Sequence, residues 1–176
     1  MKILFVTPPM GNWAPWGDRH VAVNSLHAQL AAFVREQNAA EVEVLDCRAL
    51  ALDDDGMLEN IKQSGPEVVF FGNMIAAAGG AAQLNRFHAA MRRIKDFLPD
   101  TITVGGGLMY TAVPQKIMAD NPQLDFAIVG VFGDNEYTLC ELLQSLKMPS
   151  EKFDAIKGLA YRENGGVVLN PPRPLI

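Results

Sequence analysis

The sequence predicts a doubly wound α/β domain with a parallel central sheet, followed by a β-hairpin. Three observations carry that prediction. Short runs that are apolar throughout, such as Lys2–Thr7 (KILFVT) and residues 68–72 (VVFFG), read as strands buried on both faces. They alternate with longer stretches whose apolar residues recur at helical spacing. Proline and glycine punctuate the boundaries between the two kinds of segment.

The elements follow in order. Lys2–Thr7 is the first strand, stopped by Pro8 and Pro9, and residues 10–18 form a loop that holds Trp13 and Trp16. Residues 22–37 place Val23, Leu26, Leu30, Phe33 and Val34 on one helical face. Residues 43–46 (EVLD) are the second strand, and 53–63 a modest helix with Met57, Leu58 and Ile61, broken at Gly65-Pro66. The third strand is 68–72. Residues 82–98 form a helix with Leu84, Phe87, Met91, Ile94 and Leu98 on one side and Arg92, Arg93 and Lys95 on another. Residues 101–104 are the fourth strand, which runs into Gly105, Gly106 and Gly107. Pro114–Asp120 is a short helix, 126–129 (FAIV) the fifth strand, and 135–146 the last helix, with Leu139, Leu142, Leu143 and Leu146 as its stripe.

Five strand–helix units of this kind imply a flavodoxin/Rossmann-like sheet of five parallel strands in the order 2-1-3-4-5. Residues 1–148 are read as this domain. Residues 149–176 are read as a hairpin turning at Glu163-Asn164-Gly165-Gly166, then a linker with three prolines in 170–176 (NPPRPLI) that leads to a further domain.

Composition narrows the function. A formal charge of −5 with no basic cluster argues against nucleic acid. No apolar run reaches the roughly 18 residues of a membrane helix. The start, MKILFVTPP, is too short for a secretory signal. Cys47 and Cys140 stand far apart with no metal spacing, as free thiols of a reducing, cytoplasmic compartment do.

In open parallel sheets ligands bind beyond the carboxyl ends of the strands. Those ends are rich in small residues here. The first leads into Pro9, Met10, Gly11 and Trp13; the third into Gly72, Asn73 and Met74. The fourth ends in Gly105, Gly106 and Gly107, with Tyr110 beyond, and the fifth in Gly130, Phe132, Gly133 and Glu136. One such loop reads as close helix–strand packing; four on one rim predict a wide crevice for a large ligand. No G-x-G-x-x-G follows the first strand and no Walker lysine is present, which removes nicotinamide and nucleoside triphosphates. The first strand ends in Pro-Pro, so it lacks the acidic pair of a phosphorylated receiver and the hydroxyl-rich loop of a flavin site.

The chain resembles the N-terminal cobalamin-binding domain of cobalamin-dependent radical S-adenosylmethionine enzymes. The resemblance rests on MKILFV with Pro8-Pro9, on Pro66-Glu67-Val68-Val69, and on Gly105-Gly106 with Thr111-Ala112-Val113-Pro114. Residues 133–143 (GDNEYTLCELL), 156–162 (IKGLAYR) and Arg173-Pro174 extend it to the end of the chain. It implies cobalamin held at the rim just described, with its tail between the third and fifth strand ends. It also implies a methyltransferase-type parent enzyme that uses a 4Fe–4S cluster and S-adenosylmethionine in a radical domain absent from this chain. The sequence departs from the family pattern at Gly72-Asn73-Met74, where hydroxyl side chains are usual, and at Asn135, where glycine is common. No C-x-x-x-C-x-x-C exists for the cluster, so this chain alone is not expected to be catalytic.

His20, in Asp18-Arg19-His20, matches part of the Asp-x-His of corrinoid proteins and is a candidate cobalt ligand. The following glycine is replaced by Val23. Read plainly, His20 is a residue at a helix start. His27 and His88 read as surface histidines on helices. Two alternatives remain open: a stand-alone corrinoid methyl carrier, and a non-catalytic flavodoxin-like sensor or interaction domain.

Overall fold

The computed structural model describes residues 1–9, 24–73, 80–130, 134–148 and 152–174. Its core is one sheet of seven strands in the order β2-β1-β3-β4-β5-β6-β7. The strands are β1 (Lys2–Thr7), β2 (Glu41–Asp46), β3 (Val68–Asn73), β4 (Ile102–Gly107), β5 (Phe126–Ile128), β6 (Leu159–Glu163) and β7 (Gly166–Leu169). The helices are α1 (Ser25–Glu36), α2 (Asp54–Ser64), α3 (Gly80–Phe97), α4 (Leu108–Ala112), α5 (Pro114–Asp120) and α6 (Asp134–Ser145).

β1 to β5 run parallel in the expected order. The strand count is a correction. The hairpin does not stand apart from a five-stranded sheet; β6 pairs antiparallel with β5 through Phe126↔Tyr161 and Ile128↔Leu159, and β7 closes on β6. The physical reason is the bare outer edge of β5. A three-residue strand would otherwise leave its ladder groups unpaired on that side. Gly158 brings the chain there with φ +73°, its carbonyl accepting from Val129 N at 2.7 Å. A β-carbon on Gly158 would lie 2.6 Å from the Val129 carbonyl oxygen. The hairpin turns through Asn164 and Gly165, both at positive φ, as its Asn-Gly pair requires.

Side-chain alternation divides the core between the two faces. Ile3, Phe5, Phe70, Val104 and Ile128 face α1 and α6, meeting Leu26, Leu30, Val34, Leu139 and Leu143. Leu4, Val6, Val69 and Phe71 face α2, α3 and α5, meeting Met57, Ile61, Met91, Ile94 and Met118. Each fully buried Leu, Ile or Phe removed from water stabilises the fold by about 1.5–3 kcal/mol.

Helix ends follow local chemistry. Asn24 caps α1, accepting from His27 N, and α1 therefore begins at Ser25 rather than at residue 22. Asp53 caps α2 by accepting from Gly56 N at 2.8 Å, and Gly65 ends it in the left-handed region. β4 is longer than the sequence predicts. Gly105, Gly106 and Gly107 lie within the strand, because Phe71↔Gly105, Gly72↔Gly106 and Asn73↔Gly107 continue the ladder with backbone groups alone.

Candidate functional site

The carboxyl ends of β1, β3, β4 and β5 share one rim of the sheet, and α1, α4 and α6 start there. Asn24 ties the first two ends together. Its amide donates to the Gly72 carbonyl at 2.9 Å and lies 3.5 Å from Thr7 Oγ1. Arg86 on α3 donates to the Pro9 carbonyl at 2.7 and 2.9 Å and pairs with Asp54 at 3.0 Å, which fixes where the chain leaves β1.

His27 sits beneath these ends. It is 1% exposed, with Nδ1 3.3 Å from Thr7 Oγ1 and its ring beside those of Phe5 and Phe70, at centroid distances of 5.7 and 5.8 Å. Burial pushes its pKa down to about 3, so the imidazole is neutral; Asp46 pulls it upward and Arg48 downward. The expectation of surface histidines is therefore corrected at both helical positions. His88 on α3 is also buried, with a pKa pushed down to about 4 by burial and then by Arg92. Both histidines fall in the apolar stripes of their helices, Leu26–Leu30–Val34 and Leu84–Phe87–Met91. That was the signal available in the sequence.

The glycines of the rim have two functions. A β-carbon on Gly106 would lie 2.6 Å from Phe70 Cζ, and one on Gly72 2.8 Å from Phe70 Cε1. These two glycines therefore leave room for the Phe70 ring on the α1/α6 face. On the opposite face Gly105 leaves room for Tyr110, which α4 turns inward. Tyr110 is 1% exposed, its hydroxyl is 3.4 Å from His88 Nε2, and burial pushes its phenol upward. Gly107 is the residue that needs its conformational freedom, with φ +99° at the cap of α4. Thr111 then locks α4 to the end of β5. Its hydroxyl lies 3.0 Å from the Gly107 carbonyl and 2.9 Å from the Gly130 carbonyl, and it accepts from Gly130 N at 3.1 Å.

α6 begins with Asp134, Asn135 and Glu136, all buried. Acidic side chains suit a helix N-terminus. Glu136 Oε1 accepts a hydrogen bond from Gln29 of α1. Glu136 Oε2, Asn135 Oδ1 and His27 Nε2 are buried with no hydrogen-bond partner. These are the orphaned side-chain atoms among the described residues, and they lie on the first turns of α1 and α6. Buried polar groups are nearly always paired, so bare ones on the first turns of two helices are left open to pair with a bound group. The thiols take no part in such chemistry: burial pushes Cys47 up to about 12 and Cys140 up to about 11, so neither is a thiolate. A groove elsewhere on the sheet is bordered by Lys95, Asp125, Phe126 and Arg162, and its charged side chains already have partners. Lys95 pairs with Asp125 at 2.6 Å, and Arg162 donates to the carbonyls of Asn121 and Leu124.

Several expected rim residues, Met10, Gly11, Trp13, His20, Met74, Phe132 and Gly133, lie outside the described residues. Asn73 is described in its backbone alone. Pro9, Gly72, Gly105, Gly106, Gly107, Gly130 and Glu136 all lie at the rim. His27, Asn135 and Gln29 join them from outside the expected set.

Residues 24–143 match the family model described as the B12 binding domain. The chain belongs to the B12-binding domain family. Over its full length this B12-binding domain is 31% identical to an uncharacterised methyltransferase of Pyrococcus horikoshii and spans 36% of that protein. It is 26% identical to an anaerobic magnesium-protoporphyrin IX monomethyl ester cyclase of Rubrivivax gelatinosus, of which it spans 30%. The chain thus covers about a third of the curated relatives it matches. The fold superposes on TsrM, a radical S-adenosylmethionine methyltransferase of Kitasatospora setae solved with cobalamin and a 4Fe–4S cluster. The TM-score is 0.70 at 22% identity, over 99% of this chain and 29% of that one. It superposes likewise on OxsB, a cobalamin-dependent S-adenosylmethionine radical enzyme with aqua-cobalamin bound, with a TM-score of 0.68 at 20% identity, over 99% of this chain and 22% of that one. The domain match begins at the cap residue Asn24 and takes in the ends of β3, β4 and β5 together with the first turn of α6. Among the described residues, no helix is long and apolar enough to cross a membrane.

Proposed function

We propose that this chain is the cobalamin-holding unit of a longer cytoplasmic enzyme that joins cobalamin to a 4Fe–4S cluster and S-adenosylmethionine, and that the reaction is a methyl transfer. One observation carries the reading: the bare buried atoms of His27, Asn135 and Glu136 lie on the first turns of α1 and α6, two helices that start at the carboxyl rim of the sheet. The residues present fit the cofactor, because a neutral imidazole and two acceptor oxygens suit a large uncharged ligand rich in amide and hydroxyl groups. Bound cobalamin would supply a cobalt centre able to accept and pass on a methyl group.

The chain's own residues bind, orient and exclude water. Gly72, Asn73, Gly105, Gly106, Gly107 and Gly130 form the backbone wall with Pro9 at its β1 side, and Met10, Gly11 and Trp13 are assigned to the ligand by their place in the sequence after β1. Met74, Phe132 and Gly133 are assigned to the ligand by their place in the sequence after β3 and β5, and Tyr110 supports the rim from beneath by fixing α4. Glu136, Asn135 and His27 meet polar groups of the ligand. Residues 1–148 form the binding unit, and residues 149–176 close its sheet and lead toward a radical S-adenosylmethionine domain. The relative named a methyltransferase supports the reaction class.

The test is direct. The chain is mixed with hydroxocobalamin, passed through gel filtration, and its visible spectrum recorded. Corrin that co-elutes near one per chain is the expected result; none would sink the reading. A spectrum that shifts on His20→Ala would move the assignment to a corrinoid carrier with His20 on cobalt.

A further inference from the structure

The first turn of α6 presents the ligand with oxygens that accept and do not donate. Glu136 is 6% exposed and Asn135 4% exposed. Glu136 Oε1 is already taken by Gln29, which leaves Oε2 bare, and Asn135 Oδ1 is bare as well. Among the described residues no lysine or arginine pairs with Glu136. A carboxylate has acceptor sites only, and an unpaired one buried away from water is costly. What completes it must bring N–H or O–H groups and no negative charge. A carboxylate or phosphate placed there would face a like charge in a poorly screened site, at a cost well above that of a surface pair.

We propose that Glu136, with Asn135 beside it, makes this site selective for amidated corrinoids, by receiving the N–H groups of a peripheral carboxamide and rejecting the corresponding carboxylic acid. This rests on the cobalamin reading above. It adds to that reading the chemical class of corrinoid admitted and the residues that set it. The amide donates and keeps the site neutral apart from Glu136 itself; the acid neither donates when ionised nor escapes repulsion. Discrimination of this kind is large because the wrong ligand leaves buried groups unpaired.

The experiment is a spectrophotometric titration of the whole chain at pH 7.5 with cyanocobalamin and with its three monocarboxylic acids, each having one propionamide hydrolysed. The proposal expects at least one acid to bind about tenfold or more weakly than cyanocobalamin, as one mispaired buried charge implies. Glu136→Gln keeps the shape and can donate, so it should bind cyanocobalamin and abolish most of that penalty. Asn135→Asp adds charge and should deepen it. Equal binding of all three acids and cyanocobalamin to the unmodified chain overturns the selectivity while leaving cobalamin binding intact. So does a penalty that survives Glu136→Gln unchanged. Failure to bind any of the four corrinoids instead overturns the cobalamin reading, and this inference with it.

Discussion

The ring of Tyr110 lies where a side chain on Gly105 would begin: its Cζ is 2.5 Å from the position of a β-carbon there. This pair explains why β4 carries glycine at a point that sequence alone could assign equally to a ligand. It also gives a direct test. Gly105→Ala should destabilise the fold by about 1–3 kcal/mol, the usual cost of forcing atoms into a filled core. In a Tyr110→Leu background the same change should cost much less, since the two residues contact each other and their effects couple. Urea unfolding of the four proteins measures the coupling. An equal cost in both backgrounds would show that the Tyr110 ring is not what excludes a side chain at Gly105.

His27 and His88 predict how stability depends on pH. Both are held neutral in the fold, with pKa values near 3 and 4, and both titrate near 6.5 once unfolded. Below about pH 6.5 the unfolded chain therefore binds protons that the native chain does not. Stability should fall as pH drops from 6.5, by up to about 1.4 kcal/mol per pH unit for each histidine. Above 7 neither contributes a slope. Urea midpoints measured between pH 7 and 5 should decline in the unmodified chain and decline less in His27→Gln. Identical slopes would mean that His27 is not held neutral.

Arg173 fastens the C-terminal segment to α6. Its Nε donates to Thr138 Oγ1 at 2.8 Å, its Nη2 pairs with Glu141, and its guanidinium stands 5.9 Å from the centre of the Tyr137 ring. The pair is partly exposed, so Arg173→Ala should cost about 1 kcal/mol or less in global stability. Its effect on local opening should be larger. Limited proteolysis after residue 170 is expected to speed up several-fold in Arg173→Ala. Arg173→Lys should restore little of the protection, because lysine cannot serve hydroxyl and carboxylate with one planar fork. A cleavage rate unchanged in Arg173→Ala would show that the backbone contact of Gly158 N with the Pro171 carbonyl is enough.

The parallel half of the fold was legible because KILFVT, VVFFG and FAIV are apolar on both faces, and only a sheet covered on both sides uses such strands. The hairpin was legible from Asn164-Gly165, but its docking was not. Nothing in LAYRE states which edge it joins; that depends on the bare side of β5. Glu136 could be placed at the rim from its position in the chain. His27 could not, because a histidine in a helix reads as surface until its stripe is followed through Leu26 and Leu30. The bareness of Asn135 and Glu136 is a three-dimensional fact. It depends on Gln29 reaching one carboxylate oxygen and on no described residue reaching the other.

The order of the strands also sets a timetable. β1 lies inside the sheet and is made first, whereas β6 and β7 are made last and lie at its margin. On a ribosome adding about 5–20 residues per second, the roughly 40 residues from the end of β5 to the end of β7 take about 2–8 s to appear. During that interval the nascent chain can assemble five strands with the outer side of β5 unpaired, a surface that invites pairing with a neighbouring chain or capture by a chaperone. The arrival of β6 and β7 is thus what ends the exposure of the β5 edge.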